Sequence, residues 1–204
     1  MTILQSVLLG LVQGITEFLP VSSSGHLMLV PYIFGFPEPS ISYSAALHMG
    51  TLGAVLIYFW RDWLNIFGLK RDMEIYQCNI CLLRYLFFGT LPIIIAGYFV
   101  NGYDEILSQK TLIVAFMIFV GGAILWSSDR FFSSERSMKN INMKDALIIG
   151  LFQIVALVPG ISRSGITMAT ARILKINRVD AARFSFLMGT PVILGAGVLN
   201  ILKF

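Results

Sequence analysis

Four stretches of the sequence are apolar over about the length that a lipid bilayer requires. A helix needs roughly 20 apolar residues to cross the hydrocarbon layer, since each residue adds about 1.5 Å. We interpret four ranges as full crossings: 41–60, 81–100, 111–127 and 184–202. Charged residues make up only 13% of the chain, against about 25% in soluble domains. Residues 1–204 are therefore predicted to form one all-α, polytopic membrane domain.

Two further apolar stretches, 1–35 and 146–176, are interrupted midway by Pro, Gly and Ser residues. A broken helix cannot face lipid, because its freed backbone groups would lie in hydrocarbon without hydrogen-bond partners. Both segments are therefore predicted to be re-entrant pairs of helices that are buried in protein.

The basic residues predict how the chain is oriented. Segments 61–84 and 128–145 each hold four Lys or Arg residues, whereas segment 101–110 holds only Lys110, beside Asp104 and Glu105. Cytoplasmic loops are enriched in Lys and Arg, so these segments alternate inside, outside, inside in a multi-pass protein of the cell membrane. Because the basic residues lie in loops and form no stripe with aromatic residues, nucleic-acid binding is not expected.

An internal repeat relates the two broken segments. Residues 10–13 (GLVQ) recur as 150–153 (GLFQ), and 22–25 (SSSG) recur as 162–165 (SRSG), both at an offset of 140. Residues 49–51 (MGT) recur as 188–190 at nearly the same offset. Ordered matches near one offset indicate a duplication, with repeat one at about 1–140 and repeat two at about 141–204.

Three crossings lie between the broken segments, and an odd number inverts the second repeat relative to the first. Inverted repeats place a polar site near the middle of the membrane. The second repeat is shorter than the first and is expected to be incomplete. A lipid-exposed groove, a compensating homodimer and reduced stability are the alternatives that follow.

Four ionisable residues, Glu17, His26, His48 and Arg163, fall at membrane depth. Burying a charge there costs ~3 kcal/mol or more, so such residues usually lie in a polar cavity with a partner. Arg163 lies between Ser162 and Ser164, where a helix is predicted to begin after Pro159-Gly160. A cation at a helix N-terminus binds anions, and a guanidinium group matches phosphate. We therefore expect a phosphate at this position, with further hydroxyl donors from Ser162, Ser164 and Thr167.

The first broken segment supplies a hydroxyl, an imidazole and a carboxylate, which together can activate a nucleophile. These groups come from the serines at 22–24, His26 and Glu17. Structural alternatives remain open. The serines can satisfy broken backbone, and Glu17 can form a purely structural ion pair with Arg163. His48, which has no polar neighbours in sequence, is interpreted as a packing residue.

The segments 13–26 (QGITEFLPVSSSGH) and 159–167 (PGISRSGIT) closely resemble the two signature motifs of the bacitracin-resistance type undecaprenyl pyrophosphate phosphatases. Segments 47–55 and 184–191 are also similar to that family, so the resemblance covers nearly the whole chain. It implies a membrane hydrolase that removes the terminal phosphate of a C55 polyprenyl pyrophosphate. Such an enzyme recycles the lipid carrier for envelope polymers and confers bacitracin tolerance.

The resemblance also implies roles for individual residues. Ser23 would be the nucleophile, His26 its base or the acid for the leaving group, and Glu17 an orienting residue or a metal ligand. Water attacking phosphorus directly would use the same residues. The residues assigned to the phosphates are Gln13, Ser22, Ser162, Arg163, Ser164 and Thr167. A divalent cation, Mg²⁺ or Ca²⁺, is a plausible cofactor because it neutralises phosphate charge during transfer.

The sequence departs from the family at two points. Many members have Glu where this chain has Gln13, and glutamine cannot act as a base. Members usually continue with roughly two more membrane segments after the position of Phe204. An inactive truncated paralogue therefore remains as an alternative. A transporter or flippase of an anionic polyprenyl lipid is a further alternative, because inverted repeats with broken helices are also typical of secondary transporters.

Overall fold

The computed structural model describes residues 1–69, 79–100 and 110–202. Within these ranges the chain is helical and contains no strand; one isolated bridge joins Arg136 to Ile176. The helices, numbered in chain order, are α1 Ile3–Phe18, α2 Ser23–Phe34, α3 Ile41–Tyr58, α4 Trp60–Ile66, α5 Asn79–Val100, α6 Thr111–Phe131, α7 Met143–Gln153, α8 Arg163–Ile173 and α9 Arg178–Leu202. Two short 3-10 helices lie at Met138–Asn140 and Ile154–Leu157.

Three helices in the described residues are long and apolar enough to cross a membrane. They span Ile80–Val100, Thr111–Phe131 and Arg178–Val198 in α5, α6 and α9. The prediction of an all-helical membrane protein is thereby confirmed. The third helix begins earlier than the predicted crossing at 184–202. The helix starts at Arg178, because the Asn177 side chain caps it by accepting a hydrogen bond from the N–H of Asp180. Its first turn is therefore polar and precedes the apolar stretch.

The predicted crossing at 41–60 coincides with α3 except at its last two residues, Phe59 and Trp60. Ser40 begins α3 by accepting the N–H of Tyr43 at 3.2 Å, and the helix ends at Tyr58. Phe59 leaves helical geometry at φ −93°, ψ 20°, and α4 starts at the next residue. α3 therefore has 18 residues, fewer than α5, α6 or α9, and its crossing remains a prediction.

Both predicted broken segments contain two helices joined by a turn. In the first, α1 ends at Phe18 and α2 begins at Ser23; in the second, the 3-10 helix Ile154–Leu157 and a turn separate α7 from α8. The second helix of each pair begins with the same cap. Ser22 accepts the N–H of Gly25, and Ser162 accepts the N–H of Gly165. In each segment the capping hydroxyl also lies near that of the serine two positions later, Ser24 or Ser164.

The buried core centres on α9, whose Phe184, Leu187 and Met188 are fully buried among side chains of α3, α5 and α7. The outer surface is apolar as well. Side chains such as Leu112 and Tyr98 are more than four-fifths exposed, at 86% and 81%. Contiguous apolar surface on this scale is unfavourable in water and is suited to lipid.

A buried arginine joins the loops at one end of the bundle. Arg172 is 4% exposed and donates hydrogen bonds to Asp129, Ser134 and the carbonyl oxygens of Phe132 and Ile176. These partners satisfy its charge and fix the segment after α6 against the C-terminal end of α8. The predicted cytoplasmic loop 128–145 is therefore held in place partly by charged pairs.

Helices α5 and α7 approach each other backbone to backbone at Gly89 and Gly150. A Cβ at residue 150 would collide with the carbonyl group of Gly89. We expect Gly150→Ala to destabilise the fold by about 1–3 kcal/mol, as overpacked cores generally do. Gly122→Ala in α6 is the control, because a Cβ there meets nothing within 4 Å. Thermal unfolding in detergent should show a lower midpoint for Gly150→Ala alone; equal midpoints would contradict the close approach.

Candidate active site

The carboxylate of Glu17 joins the two broken segments. Its Oε2 accepts hydrogen bonds from Ser23 Oγ at 2.6 Å and from Gln13 Nε2 at 3.2 Å. Its Oε1 accepts a hydrogen bond from Arg163 Nη2 at 3.3 Å. Glu17 is only 8% exposed, so the pair with Arg163 lies in a poorly solvated place. The predicted residues of both tips therefore meet around one carboxylate.

The local sequence explains how Ser23 reaches Glu17. Gln13 and Glu17 are four residues apart in α1 and therefore share one face of the helix. After α1 the backbone is extended at Leu19, and a turn through Pro20 reverses the direction of the chain before Ser22. Ser22 has φ +70°, a left-handed conformation that costs about 1–2 kcal/mol in a non-glycine residue. The strained residue caps α2, whose first residue is Ser23.

The second tip is shaped by glycines. Gly160 has φ +96°, and a Cβ there would collide with the carbonyl oxygen of Val114 in α6. Ser162 then caps α8, which makes Arg163 the first residue of that helix. The guanidinium group lies against the backbone of Gly189 in α9, in the space that a side chain at residue 189 would take.

Arg163 retains hydrogen-bonding capacity in this arrangement. Its Nη2 donates to Glu17, whereas its Nη1 is buried and has no hydrogen-bond partner among the described residues. A buried donor without a partner is costly, so the geometry favours an acceptor such as a phosphate oxygen beside Nη1. The positive end of α8 adds to this preference for an anion.

Three of the predicted residues have other partners. His26 Nδ1 lies 2.8 Å from the carbonyl oxygen of Ser22, and its ring is not hydrogen-bonded to Ser23 in the structure. The Thr167 hydroxyl is fully buried and lies 2.5 Å from Ser185 Oγ, between α8 and α9. The Ser162 hydroxyl is shared between its capping contact and Ser164. The phosphate-binding and acid–base roles of these residues remain predictions.

The sequence interpretation missed His48. Its Nε2 lies 3.8 Å from Glu17 Oε2, which places the ring beside the carboxylate and not in apolar packing. Thr51, one turn later in α3, accepts a hydrogen bond from Gln13 Nε2 at 3.5 Å. The repeated residues 49–51 were the available signal, since they mark this part of α3 as matched to the site in both repeats.

The fit of a divalent cation depends on two oxygen atoms. Among the described residues no group of three or more His, Cys, Asp or Glu side chains is close enough to hold a metal ion. Glu17 supplies one carboxylate, and the Oε1 of Gln13 is buried without a hydrogen-bond partner. Mg²⁺ is commonly held by one or two protein oxygen ligands together with substrate phosphates. These donors therefore fit a cation that is also bound by a pyrophosphate.

A comparison with known protein families assigns the chain to one of them. The family model described as "Bacitracin resistance protein BacA" matches residues 6–204. This chain belongs to that family. The resemblance inferred from the two motifs is thereby confirmed.

Several curated members of the BacA family are similar over almost the whole chain. The undecaprenyl-diphosphatase of Desulforudis audaxviator is 44% identical over 199 residues, which cover 98% of this chain and 76% of the relative. That of Caldicellulosiruptor bescii is 42% identical over 206 residues, covering 100% of this chain and 77% of the relative. That of Thermomicrobium roseum is 41% identical, with the same coverage. The chain therefore spans about three-quarters of the length of these relatives.

Proposed function

We propose that this chain is an undecaprenyl-diphosphatase, which hydrolyses undecaprenyl pyrophosphate to the monophosphate and inorganic phosphate. Its BacA-family membership and the names of its relatives support this activity. The single observation that carries the proposal is the Glu17 carboxylate, which binds the Ser23 hydroxyl on one side and the Arg163 guanidinium on the other. The reaction returns the lipid carrier to envelope polymer synthesis, and bacitracin resistance follows because less pyrophosphate remains for the antibiotic to bind.

The Ser23–Glu17 hydrogen bond supports a specific first step. Glu17 takes the proton from Ser23 Oγ as this oxygen attacks the terminal phosphorus. The new Oγ–P bond forms while the P–O bond to the bridging oxygen breaks, and lipid monophosphate leaves with that electron pair. Arg163 binds the charged phosphoryl oxygens throughout, with Nη1 as the free donor.

The second step releases inorganic phosphate. A water molecule attacks the phosphoserine and gives a proton to His26 or a second base, and the Oγ–P bond breaks as the new O–P bond forms. Ser23 Oγ recovers its proton from Glu17. Direct attack by water is the second candidate mechanism, because Glu17 Oε2 would serve such a water as base in the same position.

A divalent cation would be held by the Glu17 carboxylate and Gln13 Oε1, with the pyrophosphate supplying further oxygens. When bound, it would neutralise the negative charge on the phosphate oxygens. Gln13 contributes a neutral ligand where many members have a carboxylate, so we propose weak cation binding without substrate.

We propose further that residues 1–204 form one membrane domain with two inverted repeats, at about 1–140 and 141–204. The matching caps at Ser22 and Ser162 support the duplication. At the offset of 140, Leu157 corresponds to Glu17 and Arg163 corresponds to Ser23. The repeats have therefore diverged: the first supplies Glu17 and Ser23, and the second supplies the Arg163 guanidinium group. Segments 1–35 and 146–176 would then enter the membrane from opposite faces as re-entrant pairs.

The proposed location is the cell membrane, with the basic loops 61–84 and 128–145 in the cytoplasm. Residues 70–78 of the first loop lie outside the described residues. A homodimer was one of three alternatives raised by the sequence, beside a lipid-exposed groove and reduced stability, and it stays a hypothesis. The polyprenyl pyrophosphate is the proposed substrate, and surrounding membrane lipid covers the apolar surface.

The proposal is tested by incubating the purified protein with polyprenyl pyrophosphate in detergent and measuring inorganic phosphate. We expect one inorganic phosphate to be released for each polyprenyl pyrophosphate consumed. A lipid transporter needs Arg163 to bind the head group, but it does not need a carboxylate that accepts a proton from Ser23. Tight binding of the lipid with no phosphate released would therefore contradict the phosphatase and favour the transporter or the inactive paralogue.

Gly189→Ala is expected to lower kcat/KM for phosphate release by about 10–100-fold. The added methyl group takes the space of the Arg163 guanidinium, and displacing a catalytic group by about 1 Å has this order of effect. Gly195→Ala lies on the same helix in open space and provides the control. Equal activity of the two variants would contradict the packing of Arg163 against α9.

A further inference from the structure

We infer that Ser185 is a positioning residue for Arg163: its hydroxyl, paired with that of Thr167, fixes the first turn of α8 against α9 and so sets where the guanidinium group lies. This inference rests on the proposed function. Ser185 Oγ lies 2.5 Å from Thr167 Oγ1 and 3.4 Å from the carbonyl oxygen of Ser164. Ser185 is 1% exposed and Thr167 is fully buried, so water does not compete for either hydroxyl.

The hydrogen bonds of this hydroxyl pair lead to the backbone at the start of α8. Each hydroxyl has one proton, so only one of the two can donate to the other. Thr167 Oγ1 lies 2.9 Å from the carbonyl oxygen of Arg163 and 3.1 Å from that of Ser164. If Ser185 donates to Thr167, then Thr167 donates to one of these carbonyl oxygens. If Thr167 donates to Ser185, then Ser185 donates to the carbonyl oxygen of Ser164. In both arrangements, hydrogen bonds link α9 to the first turn of α8.

The same face of α9 also holds the Arg163 side chain. Ser185 and Gly189 are four residues apart and therefore share one face of the helix. The guanidinium group lies in the space that a Cβ at residue 189 would take, and its Nη2 donates to Glu17 Oε1 at 3.3 Å. A displacement of the first turn of α8 along α9 would therefore move the guanidinium group away from Glu17 and from a phosphate bound at Nη1.

The first repeat has no equivalent hydroxyl pair. Leu27 corresponds to Thr167 at the offset of 140, and Ala46 corresponds to Ser185 at the offset of 139 that relates residues 49–51 to 188–190. The tip of the first repeat also carries no arginine. A pair that only fastened the second helix of a broken segment to the following helix would be equally useful in both repeats. The pair occurs in the repeat that has the arginine, which favours a role in positioning the guanidinium group.

Substitutions of similar shape separate the hydroxyl pair from the packing of α8. Ser185→Ala and Thr167→Val each break the pair, whereas Thr167→Ser keeps the hydroxyl and loses only a methyl group. Thr170→Val is the matched control, because Thr170 is 3% exposed in the same helix and its hydroxyl donates to the carbonyl oxygen of Ile166 within α8. Ser185→Ala is also combined with Arg163→Ala, which removes the group that the pair is inferred to position.

The measurement is phosphate release from polyprenyl pyrophosphate in a single turnover, with enzyme in excess so that slow variants can be followed. We expect Ser185→Ala and Thr167→Val each to reduce the rate by about 10-fold, since small displacements of a group that binds the reacting phosphate are costly. Thr167→Ser should keep most of the wild-type rate, and Thr170→Val should keep all of it. In the Arg163→Ala background, Ser185→Ala should cause no further loss, because a residue that acts through Arg163 then has nothing to position.

Two patterns of rates would overturn the inference. One is a wild-type rate in both Ser185→Ala and Thr167→Val. The other is a loss in Ser185→Ala that is equally large with and without Arg163, as a general effect on the fold would produce. If Ser185→Ala fails to fold in a thermal unfolding measurement, the three single variants at Thr167 and Thr170 decide, and equal rates among them would overturn the inference. No phosphate release by the wild-type protein would instead overturn the proposed function, so the two failures are distinguishable.

Discussion

Arg163→Ala is expected to reduce kcat/KM for phosphate release by about 10³-fold. The guanidinium donates to Glu17 from Nη2 and presents a buried Nη1 that has no partner in the described residues. Arginines that bind a transferring phosphoryl group contribute effects of this order or larger. Arg163→Lys keeps the charge but loses the planar pair of donors, so it should restore only a small part of the activity. The measurement is steady-state phosphate release at saturating and limiting lipid.

The same variant separates catalysis from structure. If the pair of Arg163 with Glu17 were purely structural, Arg163→Ala would leave a buried carboxylate unpaired and lower stability. A purely structural pair predicts that Arg163→Lys, which keeps a positive charge beside Glu17, restores both the unfolding midpoint and phosphate release. We expect Arg163→Lys to restore stability while phosphate release stays low. Full recovery of phosphate release in Arg163→Lys would contradict a role in binding phosphate.

Ser23→Ala is expected to lower kcat by about 10³-fold or more while KM changes little. The substitution removes the hydroxyl that donates to Glu17 Oε2 and leaves Arg163 in place to bind substrate. Ser127→Ala provides the matched control, since that hydroxyl donates to the carbonyl oxygen of Ala123 in α6. Activity of Ser23→Ala comparable to that control would exclude Ser23 as nucleophile.

Comparison with Glu17→Gln distinguishes the two mechanisms. If Ser23 is the nucleophile, Ser23→Ala and Glu17→Gln are both inactive, because one lacks the attacking oxygen and the other its proton acceptor. If water attacks directly, Ser23→Ala retains measurable turnover while Glu17→Gln does not. Labelled phosphate trapped on the protein in an acid quench would be further support for Ser23.

The sequence predicted the long membrane helices, whose length and apolar composition are set by the bilayer. Long apolar runs predicted α5 and α6 closely, because a bilayer imposes both a length and a composition. The start of α9 was predicted too late, since the polar turn at Arg178 belongs to the helix through the Asn177 cap and carries no apolar signal. The break between α3 and α4 at Phe59 was not predicted, because no Gly, Pro or capping side chain marks it in the sequence.

The candidate site was predictable as far as residue types and the repeat allowed. The repeat placed Ser23 and Arg163 at equivalent positions of two tips, and the structure brings both to Glu17. The repeat at residues 49–51 marked this part of α3, but the contact of His48 with Glu17 depends on which face of α3 packs against α1. Thr167 was predicted to bind phosphate, but its hydroxyl contacts Ser185 instead. This contact depends on the packing of α8 on α9.

The most direct test of the central claim is a single-turnover experiment with lipid pyrophosphate labelled at its terminal phosphate. The purified wild-type protein should convert the label to inorganic phosphate. In Ser23→Ala and Arg163→Ala, which alter the two tips separately, the label should remain on the lipid. Release of labelled phosphate at the wild-type rate by both variants would contradict a site built where the two tips meet.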